Sequence, residues 1–458
     1  MRELQLDLDP TLGRRAALEA AIRGAIRDGR LTRGTVVPST RALAADLGCS
    51  RATVVAAYDQ LVAEGFLLAE QGRSTRVAAV HAPETPARDH NPLGPTFDHD
   101  FRPGEPDPSS FPRREWLRSL RRVMSDAPDD VFGYADPRGH LALRSALADH
   151  LGRTRSVVAH PSAVQVVPGF VAGLAFLGEL FVRHGRGRIA VEDPMLFFHR
   201  DVLRVVGVEI VPVAVDDDGL RTDLLEGLEV DAVLVCAAHQ YPLGGALAPE
   251  RRTRLVEWAE TTDTWIIEDD YDGEFRYDRR PVGALQALAP DRVVHCGTAS
   301  KTLGAGLRLA WLTVPPRLRS RVGRTVHLRA GVPSVDQLAL ADLIERGALD
   351  RHVRNVRARY ARRRTQLRSG LADVPWLDLS SHEAGLHLTA RLTEPALDET
   401  SIIAAAATAS IGLLGLEPHY AEATTVRERG LVLGVSRIPE HRFATGLDRL
   451  LAVLHSLG

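Results

Sequence analysis

A buried strand that runs into a loop of small residues is predicted by the stretch Arg292-Val293-Val294-His295-Cys296-Gly297-Thr298-Ala299-Ser300-Lys301. The loop ends on Lys301, which is the one lysine among the 57 lysines and arginines of the sequence. Arginine can replace lysine as a charge, but it cannot act as an amine nucleophile because guanidinium does not deprotonate in proteins. Lys301 therefore indicates a Schiff base with a carbonyl compound. The alternative is a surface lysine that compositional drift has spared.

The position of Lys301 in the predicted fold favours the chemical interpretation. Sites of α/β proteins lie where buried strands end, and Lys301 follows such an end closely. Arg308 comes shortly afterwards and supplies a fixed cation for an anionic group.

Length, charge and cysteine content limit the class of protein. The 458 residues are 45% hydrophobic, which predicts two or three domains with a large core. The formal net charge is −2, so any affinity for nucleic acid must come from a local patch. Cys49, Cys236 and Cys296 are odd in number and lack metal-ligand spacing, so we expect no metal site and a reduced cytoplasm. No signal core and no apolar stretch long enough to span a bilayer is present, so we expect no membrane contact.

Residues 1–80 have the pattern of a small helical unit followed by a β-hairpin. Apolar residues recur every four positions between 18 and 26, which predicts an amphipathic helix. Ser39 is the predicted N-cap of a second helix, and Ser50 is the predicted N-cap of a third, Arg51–Glu64. Two apolar runs near residues 66–68 and 76–78 predict the hairpin.

This unit resembles the GntR-type winged helix-turn-helix. The matching segments are Ile26-Arg27-Asp28-Gly29-Arg30-Leu31, Pro38-Ser39-Thr40-Arg41-Ala42-Leu43-Ala44, Ser50-Arg51-Ala52-Thr53-Val54 and Leu61-Val62-Ala63-Glu64-Gly65-Phe66-Leu67. Between residues 23 and 51 six arginines stand against two acids, which suits phosphate contacts with double-stranded DNA. The resemblance implies that DNA is contacted by Arg41, Ser50, Arg51 and Thr53. The alternative is a three-helix domain with a solvated basic face.

Residues 81–112 form a predicted linker between the DNA-binding unit and the rest of the chain. Eight prolines fall between Pro83 and Pro112, among Thr, His, Asp and Gly. Such a composition favours extended conformations and does not favour a packed core.

Residues 113–458 predict a large α/β body. Apolar runs alternate with helical stretches, which implies a mainly parallel sheet with helices on both faces. The predicted strands are Val164–Val167, Arg188–Val191, Glu209–Val215, Ala232–Cys236, Thr264–Ile267, Val293–Cys296 and Leu309–Val314.

Polar residues follow several of these predicted strands. Backbone N–H groups after Gly169 can cradle a phosphate at the start of a helix. The run Glu268-Asp269-Asp270-Tyr271-Asp272 can offer a carboxylate to a protonated ring nitrogen and a hydroxyl to a phenolate oxygen. A Ca²⁺ or Mg²⁺ site, or a solvated turn, is the alternative. His239-Gln240-Tyr241-Pro242 can hydrogen-bond a ring, although a lone histidine there is more often structural.

Together these features fit pyridoxal phosphate (PLP), an aromatic aldehyde with a pyridinium nitrogen, a phenolic oxygen and a phosphate. The body resembles the fold-type-I aminotransferases, with a large and a small subdomain. The whole chain resembles the MocR/GabR family, in which a GntR reader is fused to an aminotransferase-like body. The most specific stretches are Glu268–Tyr277, His239–Pro242 and Gly297–Leu303.

The resemblance implies a role for each matching position. Lys301 would form the Schiff base, Asp269 would hold the pyridinium, and Tyr271 would bond the phenolate oxygen. The phosphate would be held by Ser300, Arg308 and the backbone of Gly169, Phe170 and Val171. Thr298 would also bind the cofactor, and the ring would be contacted by His239 and Tyr241. In a homodimer Tyr134 would reach the phosphate of the second subunit.

Two positions depart from the family pattern. Where the family has Glu-Asp-Pro-Gly-Tyr, this chain has Glu192-Asp193-Pro194-Met195-Leu196, so no aromatic is present at Leu196 to stack on the ring. Phe197 or Phe198 is expected to substitute for it. The arginine that would bind an effector carboxylate near the C-terminal strand is not clearly aligned, and Arg429 and Arg427 are the candidates.

A predicted helix near residues 351–368 carries eight arginines beside an apolar stripe. An exposed helix face is the favoured interpretation, and a second patch that touches DNA is the sharper hypothesis.

The sequence therefore predicts a PLP-dependent transcription regulator in the cytoplasm. An amine or amino-acid effector, or PLP itself, would be sensed through the aldimine of Lys301. The aminotransferase-like body would be used for sensing this ligand rather than for catalytic turnover. The alternative is a catalytically active PLP-dependent aminotransferase.

Overall fold

The computed structural model describes residues 6–69, 73–78, 95–277, 282–326, 331–422, 424 and 427–457, with the backbone alone for 323–326. The chain divides into two compact units, Met1–Pro95 and Thr96–Gly458.

The first unit is a three-helix domain with a two-stranded wing. Its elements are α1 (Arg14–Arg27), α2 (Thr40–Asp46), α3 (Arg51–Ala63), β1 (Leu67–Leu68) and β2 (Arg76–Val77), the last two antiparallel. Helix α2 begins where Ser39 Oγ accepts from Ala42 N at 3.2 Å, and α3 begins where Ser50 Oγ accepts from Thr53 N at 3.1 Å. Leu18, Ile22 and Leu61 belong to its closed apolar core. The predicted winged helix-turn-helix is confirmed, and residues 70–72 between the two strands of the wing lie outside the described residues.

An eight-stranded sheet lies at the centre of the second unit. Its strands are β4 (Val164–Val167), β5 (Arg188–Asp193), β6 (Glu209–Asp216), β7 (Gly219–Leu220), β8 (Ala232–Val235), β9 (Trp265–Asp269), β10 (Val293–Thr298) and β11 (Ala310–Thr313). They are ordered β4-β11-β10-β9-β8-β5-β6-β7. The five strands from β10 to β6 are parallel, whereas β11 and β7 are antiparallel to their neighbours. The predicted mainly parallel sheet is therefore confirmed.

Helices cover both faces of this sheet. They include α4 (Arg113–Asp126), α5 (Leu141–Arg155), α6 (Phe170–Arg183), α7 (Phe197–Val205), α8 (Pro249–Thr261), α9 (Pro316–Val326) and α10 (Ser334–Glu345). Ile266 and Ile267 are neighbours in β9 but belong to different apolar clusters, because successive strand residues point to opposite faces. Among the described residues, no helix is both long and apolar enough to cross a membrane.

A smaller subdomain completes the second unit. Its elements are α11 (Ala348–Leu371), β12 (Leu377–Leu379), β13 (His387–Leu392), α12 (Glu399–Thr408), β14 (Ile411–Gly412), β15 (Gly430–Gly434) and α13 (Glu440–His455). Strands β12, β13 and β15 form an antiparallel sheet. One apolar cluster, which includes Tyr360, Leu388, Leu433 and Leu450, holds this sheet against α11 and α13.

The second half of the predicted linker is not a linker. Residues 96–112 belong to the second unit, and the short strand β3 (His99–Asp100) pairs in parallel with β14. Phe101 is fully buried in the cluster of the small subdomain. Its backbone is bonded on both sides, since Phe101 N donates to Gly412 O and Phe101 O accepts from Gly434 N. Two features hid this strand in the sequence. The surrounding segment is rich in proline, and a strand of two residues is too short to show an alternating apolar pattern.

Helix α11 uses its arginines in two different ways. Arg363 and Arg364 are buried, and the guanidinium groups of Arg363, Arg364 and Arg368 donate to backbone carbonyls of the small subdomain. Arg351, Arg354 and Arg362 are exposed. The prediction of an exposed helix face is therefore correct for only some of the eight arginines.

Candidate functional site

A cavity of about 450 Å³ lies at the carboxyl ends of the parallel strands. Asp269 ends β9, Lys301 follows β10, and Cys236 follows β8, so three separate strand ends bring these side chains to one wall. Such a position is where ligands bind in open α/β sheets. The predicted residues that line the cavity are Asp269, Tyr271, Thr298, Ser300, Lys301, Arg308, Phe170, Val171 and Tyr241.

Lys301 points its amine into this cavity. Nζ donates a hydrogen bond to the carbonyl oxygen of Gly104, a residue of the segment that precedes α4. Burial lowers the pKa of Lys301, although the negative charges of Asp269 and Asp272 oppose the effect. A lowered pKa increases the fraction of neutral amine, which is the form that attacks a carbonyl carbon.

Asp269 is a buried carboxyl group that lacks a full set of partners. Burial raises the pKa of Asp269 to about 8, and the charge of Lys301 opposes this shift. Asp269 Oδ1 has no hydrogen-bond partner among the described residues. A cationic ring nitrogen against this oxygen would both satisfy it and favour its ionised form, so the site fits a pyridinium.

The neighbouring acid Asp270 has a structural role. Burial alone would raise the pKa of Asp270, but the charge of Arg155 and the hydrogen bond from His295 lower it on balance. Arg155 Nε lies 2.7 Å from Asp270 Oδ2, and His295 Nε2 lies 2.9 Å from the same oxygen. The acids after β9 therefore divide between the cavity and the core.

A polar network behind the cavity holds the hydroxyl of Tyr271. His239 Nδ1 lies 2.9 Å from Tyr271 Oη and 2.9 Å from Asp272 Oδ2. His239 is buried and does not line the cavity, so the predicted ring contact by this histidine is replaced by an indirect role. The ligand atoms of His239, Asp272 and His387 lie within 4.8 Å of one another, a grouping that the sequence did not reveal. His387 Nε2 already bonds Pro242 O at 2.9 Å.

The opposite end of the site is suited to an anion. Ser300 N donates to Thr298 Oγ1 at 3.1 Å, which fixes the turn before Lys301. Arg308 adopts a left-handed backbone, and its guanidinium donates to Pro168 O at 2.9 Å. The backbone φ of Gly169 is +97°, a conformation that favours glycine, and a Cβ atom there would lie 2.7 Å from that guanidinium.

Three predicted residues lie away from the cavity. Tyr134 is fully exposed on the single chain. Arg427 donates to the carbonyls of Thr424, Ala421 and Glu422, and Arg429 donates to those of Pro395 and Leu397. The two arginines proposed for an effector carboxylate are therefore not brought to the site, because local backbone carbonyls hold both guanidinium groups.

Several cavity residues were missed by sequence reasoning. His199 lies in the first turn of α7, with Nδ1 4.0 Å from Asp269 Oδ2 and its ring centroid 4.9 Å from that of Phe170. Burial lowers the pKa of His199 to about 3, and the charge of Lys301 adds to the effect. The sequence signal that could have identified His199 is its spacing of three residues from Leu196, since residues three apart lie on the same face of a helix. Leu196, Phe197 and Phe198 all line the cavity.

The first unit presents the predicted DNA-contacting residues near two helix N-termini. Arg41 and Arg51 are exposed, at the second position of α2 and the first position of α3. The side chains of Ser50 and Thr53 bond each other at 2.8 Å as part of the cap of α3. This arrangement suits a helix that enters the major groove by its N-terminal end.

Comparison with known families matches both units. The family described as "Aminotransferase class I and II" matches residues 104–408, and "Bacterial regulatory proteins, gntR family" matches residues 14–77. A probable rhizopine catabolism regulatory protein, MocR, of Rhizobium meliloti is 33% identical over 98% of this chain and 95% of its own length. The pyridoxine biosynthesis regulator PdxR of Corynebacterium glutamicum is 33% identical over 91% of this chain and 90% of its own.

Solved structures support the fold of the second unit. A kynurenine aminotransferase of Pyrococcus horikoshii has a TM-score of 0.71 at 22% identity, covering 80% of this chain and 92% of that one. An archaeal alanine:glyoxylate aminotransferase has a TM-score of 0.72 at 23% identity, with the same coverage. The chain therefore belongs to the MocR family of transcriptional regulators, in which a gntR-type DNA-binding domain is joined to a body with the aminotransferase class I and II fold.

Proposed function

We propose that this regulator holds PLP in the cavity and senses an amine or amino-acid effector, or PLP itself, through Lys301. The observation that carries the proposal is that the one lysine of the chain lines the same cavity as Asp269, whose Oδ1 has no hydrogen-bond partner among the described residues. When bound, PLP supplies an electrophilic carbon to which an amine bonds reversibly.

Each cavity residue has a distinct part in this proposal. Asp269 holds the ring nitrogen, and His239 and Asp272 orient the hydroxyl of Tyr271 toward the phenolic oxygen. Thr298, Ser300, Arg308 and the backbone N–H groups after Gly169 hold the phosphate. Tyr134, which is exposed on one chain, reaches the phosphate of a second copy in a homodimer.

In this proposal, binding of the effector by the body changes the binding of operator DNA by the first unit. Residues 1–80 bind double-stranded operator DNA through α3, and the body carries the cofactor, the effector and the dimer contacts. An effector changes operator binding only if it binds two conformations of the protein unequally.

The test is a visible absorption spectrum of the protein with PLP, recorded for the parent and for Lys301→Ala. We expect a band that depends on Lys301 in the parent, and a variant that keeps its far-UV circular dichroism but lacks the band. If Lys301→Ala kept both the band and the operator response, the proposal would be wrong.

A working aminotransferase is the second candidate, because the fold of the body matches aminotransferases. Incubation of the PLP-loaded protein with paired amino acids and keto acids distinguishes the two. Rapid multiple turnover without operator binding would favour the enzyme, whereas operator binding that responds to ligand with slow or absent turnover favours the regulator.

A further inference from the structure

We propose that the effector is a primary amine without a carboxylate group, a conclusion that rests on the proposed function of the cavity.

Four cations line the cavity within the described part of the chain: Arg102, Lys301, Arg308 and Arg437. Lys301 and Arg308 belong to the cofactor end, one as the amine and the other beside Gly169. An effector carboxylate would therefore have to bind Arg102 or Arg437.

Both of these arginines already hold carboxylates. Arg102 contacts Asp100 through Nε and a terminal nitrogen, at 2.9 and 2.6 Å. Arg437 lies 3.1 Å from Asp100 and 3.7 Å from Glu105. Two cations face two anions here, so an incoming carboxylate would have to displace one of the anions and meet repulsion from the other.

Strand β15 of the small subdomain supplies no cation. Its five residues, Gly430–Gly434, are all apolar and buried. Val432 packs with Leu243, Leu416 and Tyr420 in a separate apolar cluster.

Five large apolar residues also line the cavity: Leu196, Phe197, Phe198, Leu386 and Leu414. A hydrocarbon or aromatic tail would remove this surface from water, which stabilises the complex by about 25 cal/mol for each Å² buried.

The replacement of the Lys301 amine by the effector amine would require no further reactant. A C=N bond to the effector nitrogen forms while the C=N bond to Lys301 Nζ breaks, and the two protons of the incoming amine end on Lys301. Nothing is oxidised or reduced, and the α-carbon of the effector needs no carboxylate for this step.

Matched ligands test the inference. PLP-loaded protein is titrated with 2-phenylethylamine, phenylalanine and phenylalanine amide, and then with isobutylamine and valine, while the visible band is followed. We expect half-saturation by each amine at a concentration at least tenfold below that of its amino acid, with the amide close to the amine. An amino acid that half-saturates at an equal or lower concentration would overturn the inference.

Glu105→Gln is the second measurement, because it removes one of the two anions that face Arg437. The ratio of amino-acid to amine half-saturation should fall by about threefold or more in this variant. An unchanged ratio would contradict the charge argument.

The proposed function fails in a distinguishable way. If PLP gives no Lys301-dependent band before any amine is added, the proposed function is wrong. If the band forms but neither amines nor amino acids shift it, the assigned cofactor site stands, whereas the inference on the effector and the sensing of amines or amino acids through Lys301 are wrong.

Discussion

Burial moves the two central groups of the cavity toward their neutral forms. It lowers the pKa of Lys301 and raises the pKa of Asp269 to about 8. The first shift favours a nucleophilic amine, and the second leaves a carboxyl group that ionises only beside a cation. The pair is therefore prepared for a ligand that bears both a carbonyl carbon and a basic ring nitrogen.

Gly169→Ala should weaken the binding of PLP by tenfold or more. The new Cβ would lie 2.7 Å from the Arg308 guanidinium, and the backbone φ of +97° is strained for alanine. Fluorescence or absorbance titration with PLP measures the change. Gly306→Ala is the matched control, since nothing lies within 4 Å of its added Cβ and its φ is outside the strained region. Equal affinities for PLP in the two variants would contradict the assigned phosphate site.

The contribution of Asp269 to the stability of the protein without added cofactor should fall as pH rises from about 5 to 8. The pKa of Asp269 is raised to about 8, so its carboxyl keeps a proton in the folded state that it loses in the unfolded state. Stability from such a group is present at low pH and decreases by up to about 1.4 kcal/mol per pH unit until the folded pKa is passed. Asp269→Asn should flatten this slope in urea unfolding experiments.

Asp223→Asn serves as the control for this pH dependence. Asp223 is exposed, and its hydrogen bond from Arg221 lowers its pKa to about 2, so it is ionised in both states throughout the window. The slope should match that of the parent. A slope that Asp269→Asn leaves unchanged would show that this carboxyl is ionised when buried.

Sequence reasoning found the cavity residues that follow apolar strands, such as Lys301, Asp269 and Tyr271. A strand followed by polar residues is a local pattern, and parallel strands end at the same edge. It missed Gly104, His199 and His387, because each reaches the cavity from a helix turn, a loop or the other subdomain, and no local pattern reports such a long-range contact.

At the scale of single elements, α3 and α11 use arginine in opposite ways. Arg51 of α3 is exposed at a helix N-terminus, whereas Arg364 of α11 is buried and donates to the carbonyls of His387 and His382. The same residue type is therefore exposed at the proposed DNA-binding face in one helix, and in the other it bonds backbone carbonyls of the small subdomain.

Arg51→Gln should weaken operator binding and lower the slope of log affinity against log salt by about one, because one phosphate contact is lost. Electrophoretic mobility shifts at several salt concentrations measure both quantities. Arg15→Gln, which changes an exposed arginine of α1 paired with Glu19, is the control and should leave the slope unchanged. A parent-like slope in Arg51→Gln would remove Arg51 from the interface.

Arg364→Gln should destabilise the body by roughly 1–3 kcal/mol, because buried carbonyl oxygens lose their donors. Arg354→Gln changes an exposed arginine of the same helix and should stay within about 0.5 kcal/mol of the parent. Chemical unfolding of the two variants checks this difference, and equal losses of stability would contradict the structural role of Arg364.

Seven of the eight strands of the central sheet were predictable to within about two residues, because buried strands appear as short apolar runs. The two-residue edge strand β7 was not predicted. Strand β3 was not predictable, since its two residues lie between prolines and its partner β14 lies more than 300 residues later. The division of arginines along α11 was also hidden, because an arginine that donates to backbone carbonyls looks the same in sequence as one in solvent.

At the scale of the whole molecule, the boundary between the two units determines which fragments can fold. A fragment of residues 96–458 should fold and bind PLP, whereas a fragment of residues 113–458 should do neither well, because it lacks β3, Phe101 and Gly104. Circular dichroism, thermal unfolding and PLP titration of the two fragments measure the difference. Equal behaviour would mean that residues 96–112 are dispensable, as the composition of that segment suggested.

Residues 96–105 begin the second unit, pair with β14 and also form part of the cavity wall that receives the amine of Lys301. A chimaera joined immediately before residue 96 would thus keep the second unit intact while replacing the DNA-binding unit. Among the described residues, the first unit contributes no strand to the sheets of the second unit, so we expect such a chimaera to change the target promoter without changing ligand selectivity.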